Sequence, residues 1–186
     1  MRVLACFVLE VSLLLGTGCA AQPGPALPPA APSQSITLRT PGQLLIATLS
    51  GDRFFGPDIE IARAAQSLRG RAYGAVVDLR TSESRIDGTV GSGRTELHLY
   101  VQPEGLALRG LYADSLGRLE VRADRITGQL GGCQYDLRST GAAVAEYYGA
   151  RVCRGVSEPA ELALPLVVVS LAPADRAALL AILLGR

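Results

Sequence analysis

IDGTVGSGRTELHL (residues 86–99) and ITGQLGGCQYDLRS (residues 126–139) follow one pattern. Each stretch begins with isoleucine, has glycine two positions later, and has leucine eleven positions after its start. LRGRAYGAVVDLRT (residues 68–81) and LRGLYADSLGRLEV (residues 108–121) obey the same rule with leucine at the start. Because successive units start 18, 22 and 18 residues apart, the chain carries a repeated short unit.

Each repeated unit is predicted to be a β-hairpin. Turn-forming residues occupy its middle, as at Tyr73-Gly74, Gly91-Ser92 and Gly131-Gly132. On both sides of these turns apolar and polar residues alternate. In TELHLYV (residues 95–101), for example, every second residue is apolar. This period predicts antiparallel strands with one face in water, where arginines and carboxylates pair across strands.

The glycines of the repeat predict the shape of the sheet. Gly70, Gly88, Gly110 and Gly128 each lie two residues from an apolar start, so they belong to the inward face. Glycine weakens a strand, so its recurrence favours a bend, or room for a large neighbouring side chain. The sequence therefore predicts an all-β antiparallel meander of repeated hairpins, about ten strands long, as a strongly curled sheet or barrel.

The segments outside the repeats predict the rest of one domain over residues 36–186. ITLRTPGQLLIATLS (residues 36–50) indicates another hairpin, SGDRFFGPD (residues 50–58) a loop, and LPLVVVSL (residues 164–171) a buried strand. APADRAALLAILLGR (residues 172–186) predicts a single C-terminal helix packed on the sheet. Pro173 and Asp175 suit its start, Gly185 its end, and three leucines, at 180, 183 and 184, form an apolar stripe.

Composition argues against nucleic acid as a partner. Arginine supplies all 18 basic residues, and 17 carboxylates balance them to a net charge of +1. The arginines are scattered and form no basic stripe. Lysine and asparagine, whose codons are AT-rich, are absent, which is typical of a GC-rich genome.

The N-terminus predicts export. Residues 1–18 begin with Met1-Arg2 and continue as a short apolar run, which is typical of a signal peptide. Its end, LGTGC (residues 15–19), resembles the lipobox of bacterial lipoproteins. The resemblance implies that Cys19 becomes the lipidated first residue of the mature chain. It implies a membrane partner reached through that lipid, and Ala20 after the cysteine implies the outer membrane of a Gram-negative envelope. The alternative is cleavage by ordinary signal peptidase, which gives a secreted or periplasmic protein.

Residues 19–35 are predicted to form a tether between anchor and domain. Five prolines occur between Ala20 and Ser35, with alanine, glutamine and serine and with no hydrophobic period. Such composition favours an extended polyproline-like chain of about 3 Å per residue.

Cys133 and Cys153 remain in the folded part of an exported chain, where disulfides persist. We expect them to form a structural disulfide. The alternative is a redox or metal pair, against which stand the lack of CxxC spacing and the presence of a single histidine.

No catalytic, cofactor or metal site is predicted. His98 is expected on the polar face beside Glu96 and Tyr100, solvated and without a nucleophile. The acidic residues 52, 58 and 60 could form a cation site in one loop, but their spacing does not match an EF-hand, and Arg53 lies among them. Tyr147-Tyr148 is interpreted either as a binding surface or as one inward and one outward strand residue.

The functional expectation is a non-enzymatic envelope lipoprotein with a structural or accessory role and a protein partner. The alternative is a carrier for a small apolar ligand or lipid, held in the cavity of the curled meander.

Overall fold

The computed structural model describes residues 35–141 and 145–186, and these form a closed antiparallel barrel of 14 strands with two helices. The first seven strands are β1 Ser35–Thr40, β2 Gln43–Ser50, β3 Arg53–Gly56, β4 Ile59–Ala64, β5 Ser67–Ala72, β6 Ala75–Thr81 and β7 Arg85–Val90. The others are β8 Gly93–Gln102, β9 Gly105–Tyr112, β10 Ser115–Arg122, β11 Arg125–Leu130, β12 Cys133–Ser139, β13 Ala145–Cys153 and β14 Val156–Leu164. Two helices follow, α1 Leu166–Val169 and α2 Pro173–Leu184.

Every strand pairs with its neighbour in the chain, so the sheet is a meander, and β1 pairs with β14 to close it. The closing pair is in register at Leu38 and Leu162, and both side chains are buried. The predicted fold class, an all-β meander that curls or closes, with a C-terminal helix, is therefore confirmed. Closure removes the exposed sheet edges that an open sheet would present to other chains.

The two faces of the sheet differ as the alternation predicts. Apolar side chains fill the inward face, for example Leu97 and Leu99 of β8 and Leu119 of β10. The outward face carries ion pairs between neighbouring strands: Arg69–Asp78, Arg85–Glu96 and Arg125–Asp136. Each exposed pair stabilises the fold by about 1 kcal/mol at most.

The glycine repeat extends further around the barrel than the sequence pattern indicates. Every odd-numbered strand from β3 to β13 has a glycine that approaches a neighbouring backbone, and β9 has two; these residues are Gly56, Gly70, Gly88, Gly105, Gly110, Gly128 and Gly149. A Cβ atom added at any of them would lie 1.9–2.1 Å from a carbonyl oxygen of an adjacent strand. At Gly110 the backbone also has a φ of +143°, a region that side chains rarely adopt. The register places this glycine opposite the buried Leu97, so both predicted reasons for glycine apply.

Three predictions about individual segments were wrong. The strands number 14 and not about ten, because several are short and separated by two-residue turns. Residues 53–56 form strand β3 and are not part of a loop. Residues 166–169 form the short helix α1 and not a buried strand. The β-branched composition of residues 166–169 favours a strand. However, β14 already pairs with β1 and β13, so no sheet edge remains for these residues to join.

Helix α2 lies inside the barrel and not on its outer surface. Every residue from Ala177 to Leu184 is at most 1% exposed, whereas the predicted apolar stripe involved only part of the helix circumference. A helix that is apolar all round must be buried on all sides, and in a closed barrel that location is the lumen. The barrel is therefore filled by its own C-terminal segment.

The two ends of the barrel are distinct. We call one end the mouth: it carries the turns at residues 51–52, 65–66, 82–84, 103–104 and 123–124, the start of β1 and the end of β14. We call the other end the base; it carries the turns at residues 73–74, 113–114, 131–132 and 154–155. Because β14 ends at the mouth, α1 lies there and α2 runs from the mouth through the lumen to the base.

The predicted disulfide is present. Cys133 begins β12 and Cys153 ends β13, and the two residues are directly opposite each other with a Cα–Cα distance of 4.3 Å. The predicted signal peptide, the lipidated Cys19 and the tether up to residue 34 lie outside the described residues.

Candidate functional site at the mouth of the barrel

The first turn of α2 is fixed to the mouth by a partly buried carboxylate. One Asp175 oxygen lies 3.3 Å from the guanidinium of Arg63 on β4, and the other accepts a hydrogen bond of 3.2 Å from the Thr81 hydroxyl on β6. Asp175 also suits the positive end of the helix dipole. Arg63 pairs in addition with Asp52 at 2.6 Å. These contacts lock the N-terminal end of the helix to two separate strands.

At the base, tyrosine hydroxyls hold the other end of the helix. Tyr135 donates to the Leu184 carbonyl at 2.6 Å, and Tyr73 donates to the Leu183 carbonyl at 3.3 Å. These are carbonyls of the last helical turn, which have no partner within the helix. Burial raises the pKa of Tyr73 and of Tyr135, which keeps both phenols protonated and able to donate.

Two clefts open at the mouth on either side of the segment that joins α1 to α2. The first has a volume of about 380 Å³ and is lined by the small apolar residues Ala65, Ala172 and Pro173, with Glu83 and Asp175 as its acidic groups. Its volume falls within the range of about 300–1,000 Å³ that is typical of ligand pockets. Val101, at the end of β8, lines both clefts.

The second cleft, which we call the Arg176 cleft, has a volume of about 250 Å³. Its lining includes Glu104, Val121, Arg122, Tyr147, Leu164, Arg176 and Leu180. Tyr147 donates to the Arg122 carbonyl at 3.1 Å, and burial raises its pKa while the nearby charge of Arg176 lowers it. Arg122 lies 3.6 Å from Glu104 at the rim. The cleft thus combines apolar walls with two guanidinium groups and the carboxylate of Glu104.

The outer surface has an apolar patch of its own. Leu44 and Ile46 on β2 and Phe55 on β3 point outward and are 52%, 40% and 47% exposed. Ile46 and Phe55 are diagonal neighbours, because Phe55 pairs with Thr48. We call these three residues the β2–β3 patch. It lies beside β1, where the described domain begins.

The acidic residues singled out in the sequence do not form one site. Asp52 is in a turn at the mouth and pairs with Arg63, whereas Asp58 is in the turn after β3, at the base. Glu60 pairs with Arg53 on the outer face. Strand β3 separates the first two because it runs the height of the barrel between them. Across residues 35–141 and 145–186, no group of three histidine, cysteine or acidic residues could hold a metal ion.

The other candidates are placed as the alternation predicts. His98 is exposed on the outer face, opposite Arg85 and Arg109. Tyr147 points inward and is 4% exposed, while Tyr148 points outward and is 42% exposed. Of the pair, only Tyr147 lines a cleft.

Sequence reasoning did not single out Arg63, Thr81, Arg122 or Arg176. The sequence does contain a signal for Arg176, because it places an arginine in the first turn of a predicted helix, where the positive end of the helix dipole disfavours a cation. The others lie at strand ends that the meander places at the mouth, and they meet the helix because α2 lies inside the barrel. In the described part of the chain, no helix is long and apolar enough to cross a bilayer.

No protein-family model matches the chain, and neither a curated protein nor a solved structure is significantly similar to it.

Proposed function

We propose that this protein is a lipid-anchored structural or accessory protein of the bacterial cell envelope, which acts through the outer surface of its barrel and not through catalysis. The observation that supports it best is the burial of α2, whose residues from Ala177 to Leu184 fill the lumen. A barrel filled in this way is a solid body, and its outer face and two ends are the surfaces it offers to other molecules.

The predicted lipid anchor and the proline-rich segment that follows it support attachment to a membrane. Cys19 ends a lipobox-like signal, and residues 20–34, which are rich in proline and alanine, separate it from the barrel. At about 3 Å per residue this segment spans some tens of ångströms when extended. The anchor is tested by incorporation of labelled fatty acid into the wild type and into Cys19→Ser. Label in the wild type alone supports the proposal, and equal labelling of both chains contradicts it.

The β2–β3 patch supports a protein partner. Leu44, Ile46 and Phe55 present three large apolar side chains on adjacent strands, flanked by the charged Arg39 and Arg53. An apolar centre with a charged rim is the usual composition of a protein–protein interface. Phe55 also supplies an aromatic side chain, a type that is enriched at protein–protein interfaces.

The partner is tested by pull-down from envelope membranes with the native anchor intact. We expect a protein that co-purifies with the wild type to be lost with Ile46→Ser/Phe55→Ser. Leu116→Gln is the matched control, because Leu116 is 79% exposed but lies on β10, away from the patch. Recovery of the same proteins by all three chains would contradict a role for the patch.

A second candidate function, the carrier of a small apolar ligand or lipid, is supported by the two clefts at the mouth. Since α2 fills the lumen, the ligand would occupy a cleft at the mouth and not the centre of the barrel. Native mass spectrometry of protein purified from its host tests this function, because a retained ligand adds a defined mass.

A further inference from the structure

Helix α1 presents two large apolar side chains to solvent at the mouth of the barrel. Leu166 is 62% exposed and its neighbour Val167 is 40% exposed. The helix is held in place, because the next residue, Val168, is fully buried in the core and Arg176 donates to the Val169 carbonyl at 2.5 Å. The two exposed side chains are therefore displayed on a fixed support, and we call them the α1 pair.

The chain enters the barrel beside the α1 pair. Strand β1 begins at the mouth with Ser35, and Thr37 of this strand pairs with Ala163 of β14. Two residues further in the same antiparallel register, Ser35 is opposite Pro165, the residue that precedes α1. The segment that leads to the predicted anchor at Cys19 therefore joins the domain at the point of the rim where α1 begins.

The rim next to the α1 pair is weakly charged. Thr140 and Gly141, in the turn after β12, are exposed and uncharged. Glu146 of β13 is half-buried and lies opposite Ala163, below the rim. The exposed carboxylates of Glu83 and Glu104 are in the turns after β6 and β8, on the opposite side of the barrel from β14. Insertion of the α1 pair into a bilayer thus does not require these two carboxylates to leave water.

The predicted tether allows a weak contact with the membrane to be effective. At about 3 Å per residue, residues 20–34 keep α1 within some tens of ångströms of a lipid attached to Cys19. Linking two binding groups makes the second contact intramolecular, at an effective concentration in the millimolar range. Two apolar side chains are too few to recruit a free protein to a bilayer, but they are sufficient to orient one that is already anchored.

We propose that the α1 pair docks on the lipid bilayer, so that the anchored chain stands with this side of its mouth against the membrane and its base directed away from it. The proposal deepens the proposed envelope function and rests on lipidation at Cys19. The β2–β3 patch lies on the outer wall of the barrel and stays accessible to a protein in this orientation.

The test uses the absence of tryptophan from the chain, which makes one introduced tryptophan a specific reporter. The lipidated full-length chain is reconstituted in vesicles of phosphatidylethanolamine and phosphatidylglycerol, with or without bromine on the acyl chains, because bromine quenches indole fluorescence on contact. Leu166→Trp reports on the α1 pair. Leu116→Trp is the matched control, since Leu116 is 79% exposed near the base. Flotation with the vesicles measures the anchor separately.

Thermal melts establish that each variant is folded, and Val167→Trp serves if Leu166→Trp is not. We expect both reporter chains to float, with the brominated lipid quenching Leu166→Trp about threefold and Leu116→Trp very little. Exposure alone would give the opposite order, because Leu116 is the more exposed of the two. We also expect Leu166→Ser to lower the quenching of Val167→Trp by about half, and Leu116→Ser to leave it unchanged.

Each contrary result has a separate meaning. Flotation without quenching of Leu166→Trp would overturn membrane docking, leave the anchor standing and make a protein the candidate occupant of the α1 pair. Equal quenching of Leu166→Trp and Leu116→Trp would overturn the orientation. An unchanged Val167→Trp signal after Leu166→Ser would remove the role assigned to these side chains. Failure of the chains to float would remove lipidation at Cys19, and this proposal with it.

Discussion

Asp175 in the first turn of α2 lies 3.3 Å from the guanidinium of Arg63 on β4, although the two residues are 112 positions apart in the chain. The contact links the last element of the fold to one of the first strands. Since the Asp175 side chain is only 11% exposed, its charge depends on Arg63 and on the Thr81 hydroxyl for compensation.

Arg63→Gln should lower the free energy of unfolding by about 2–3 kcal/mol, because it leaves the Asp175 carboxylate buried without its charged partner. Urea denaturation measures the change. Arg39→Gln is the control, as Arg39 and Glu161 are exposed and 3.8 Å apart, and it should change stability by less than about 1 kcal/mol. A double-mutant cycle with Asp175→Asn isolates the pair, and a coupling energy near zero would contradict the role of this contact.

Gly110→Ala should destabilise the barrel by about 2–4 kcal/mol. The added Cβ would lie 2.1 Å from the Glu96 carbonyl oxygen, and the φ of +143° adds backbone strain. Gly42→Ala is the matched control, because Gly42 has no atom within 4 Å of the added Cβ. If the two variants denature at the same urea concentration, the close backbone approach at Gly110 does not require glycine.

Removal of the disulfide by Cys133→Ser/Cys153→Ser should lower stability by about 3 kcal/mol in the chain-entropy model, since the bond joins residues 20 positions apart. Denaturation with and without a reductant measures it. The double variant should be insensitive to the reductant, and a wild type equally insensitive would show that the bond is not formed in solution.

Tyr135→Phe should cost about 1–2 kcal/mol, because the Leu184 carbonyl loses the hydrogen bond of 2.6 Å that it accepts at the end of α2. Tyr100→Phe is the control: Tyr100 is 48% exposed, and its ring contact with Arg109 does not need the hydroxyl. Equal thermal midpoints for the two variants would argue against a role for this helix cap.

Stability should fall in alkaline solution. Burial raises the pKa of Tyr73, Tyr112 and Tyr135 above the ordinary value of 10.0, so the folded state holds these protons more tightly than the unfolded state. The contribution is fully present below pH 10 and is lost as the pH rises above it, by up to about 1.4 kcal/mol per pH unit for each tyrosine. Denaturation between pH 8 and pH 11 measures the slope, which should be shallower in Tyr112→Phe. A slope that this variant leaves unchanged would assign the pH dependence to other groups.

The local sequence pattern determined the hairpins of the sheet and the faces of its strands. Period-two alternation and turn residues at fixed spacing are properties of adjacent residues, so they predict hairpins, the inward face of Leu97 and the outward face of His98. The recurring glycines predict strong curling because close backbone approach excludes a Cβ. The two cysteines of the folded part predict the disulfide, since exported chains retain such bonds.

Tertiary structure alone decided that the sheet closes into a barrel and that a helix fills its lumen. The closing pair of β1 and β14 joins segments more than a hundred residues apart, and no local periodicity encodes such a distance. Closure left the β-branched run of α1 without a sheet edge, so that it became a helix. It also created a lumen, which the apolar α2 fills. The same closure brought Arg63 to Asp175 and Arg176 to Tyr147. Contacts of this kind depend on which surfaces remain free once the barrel has formed, and the order of residues along a strand does not contain that information.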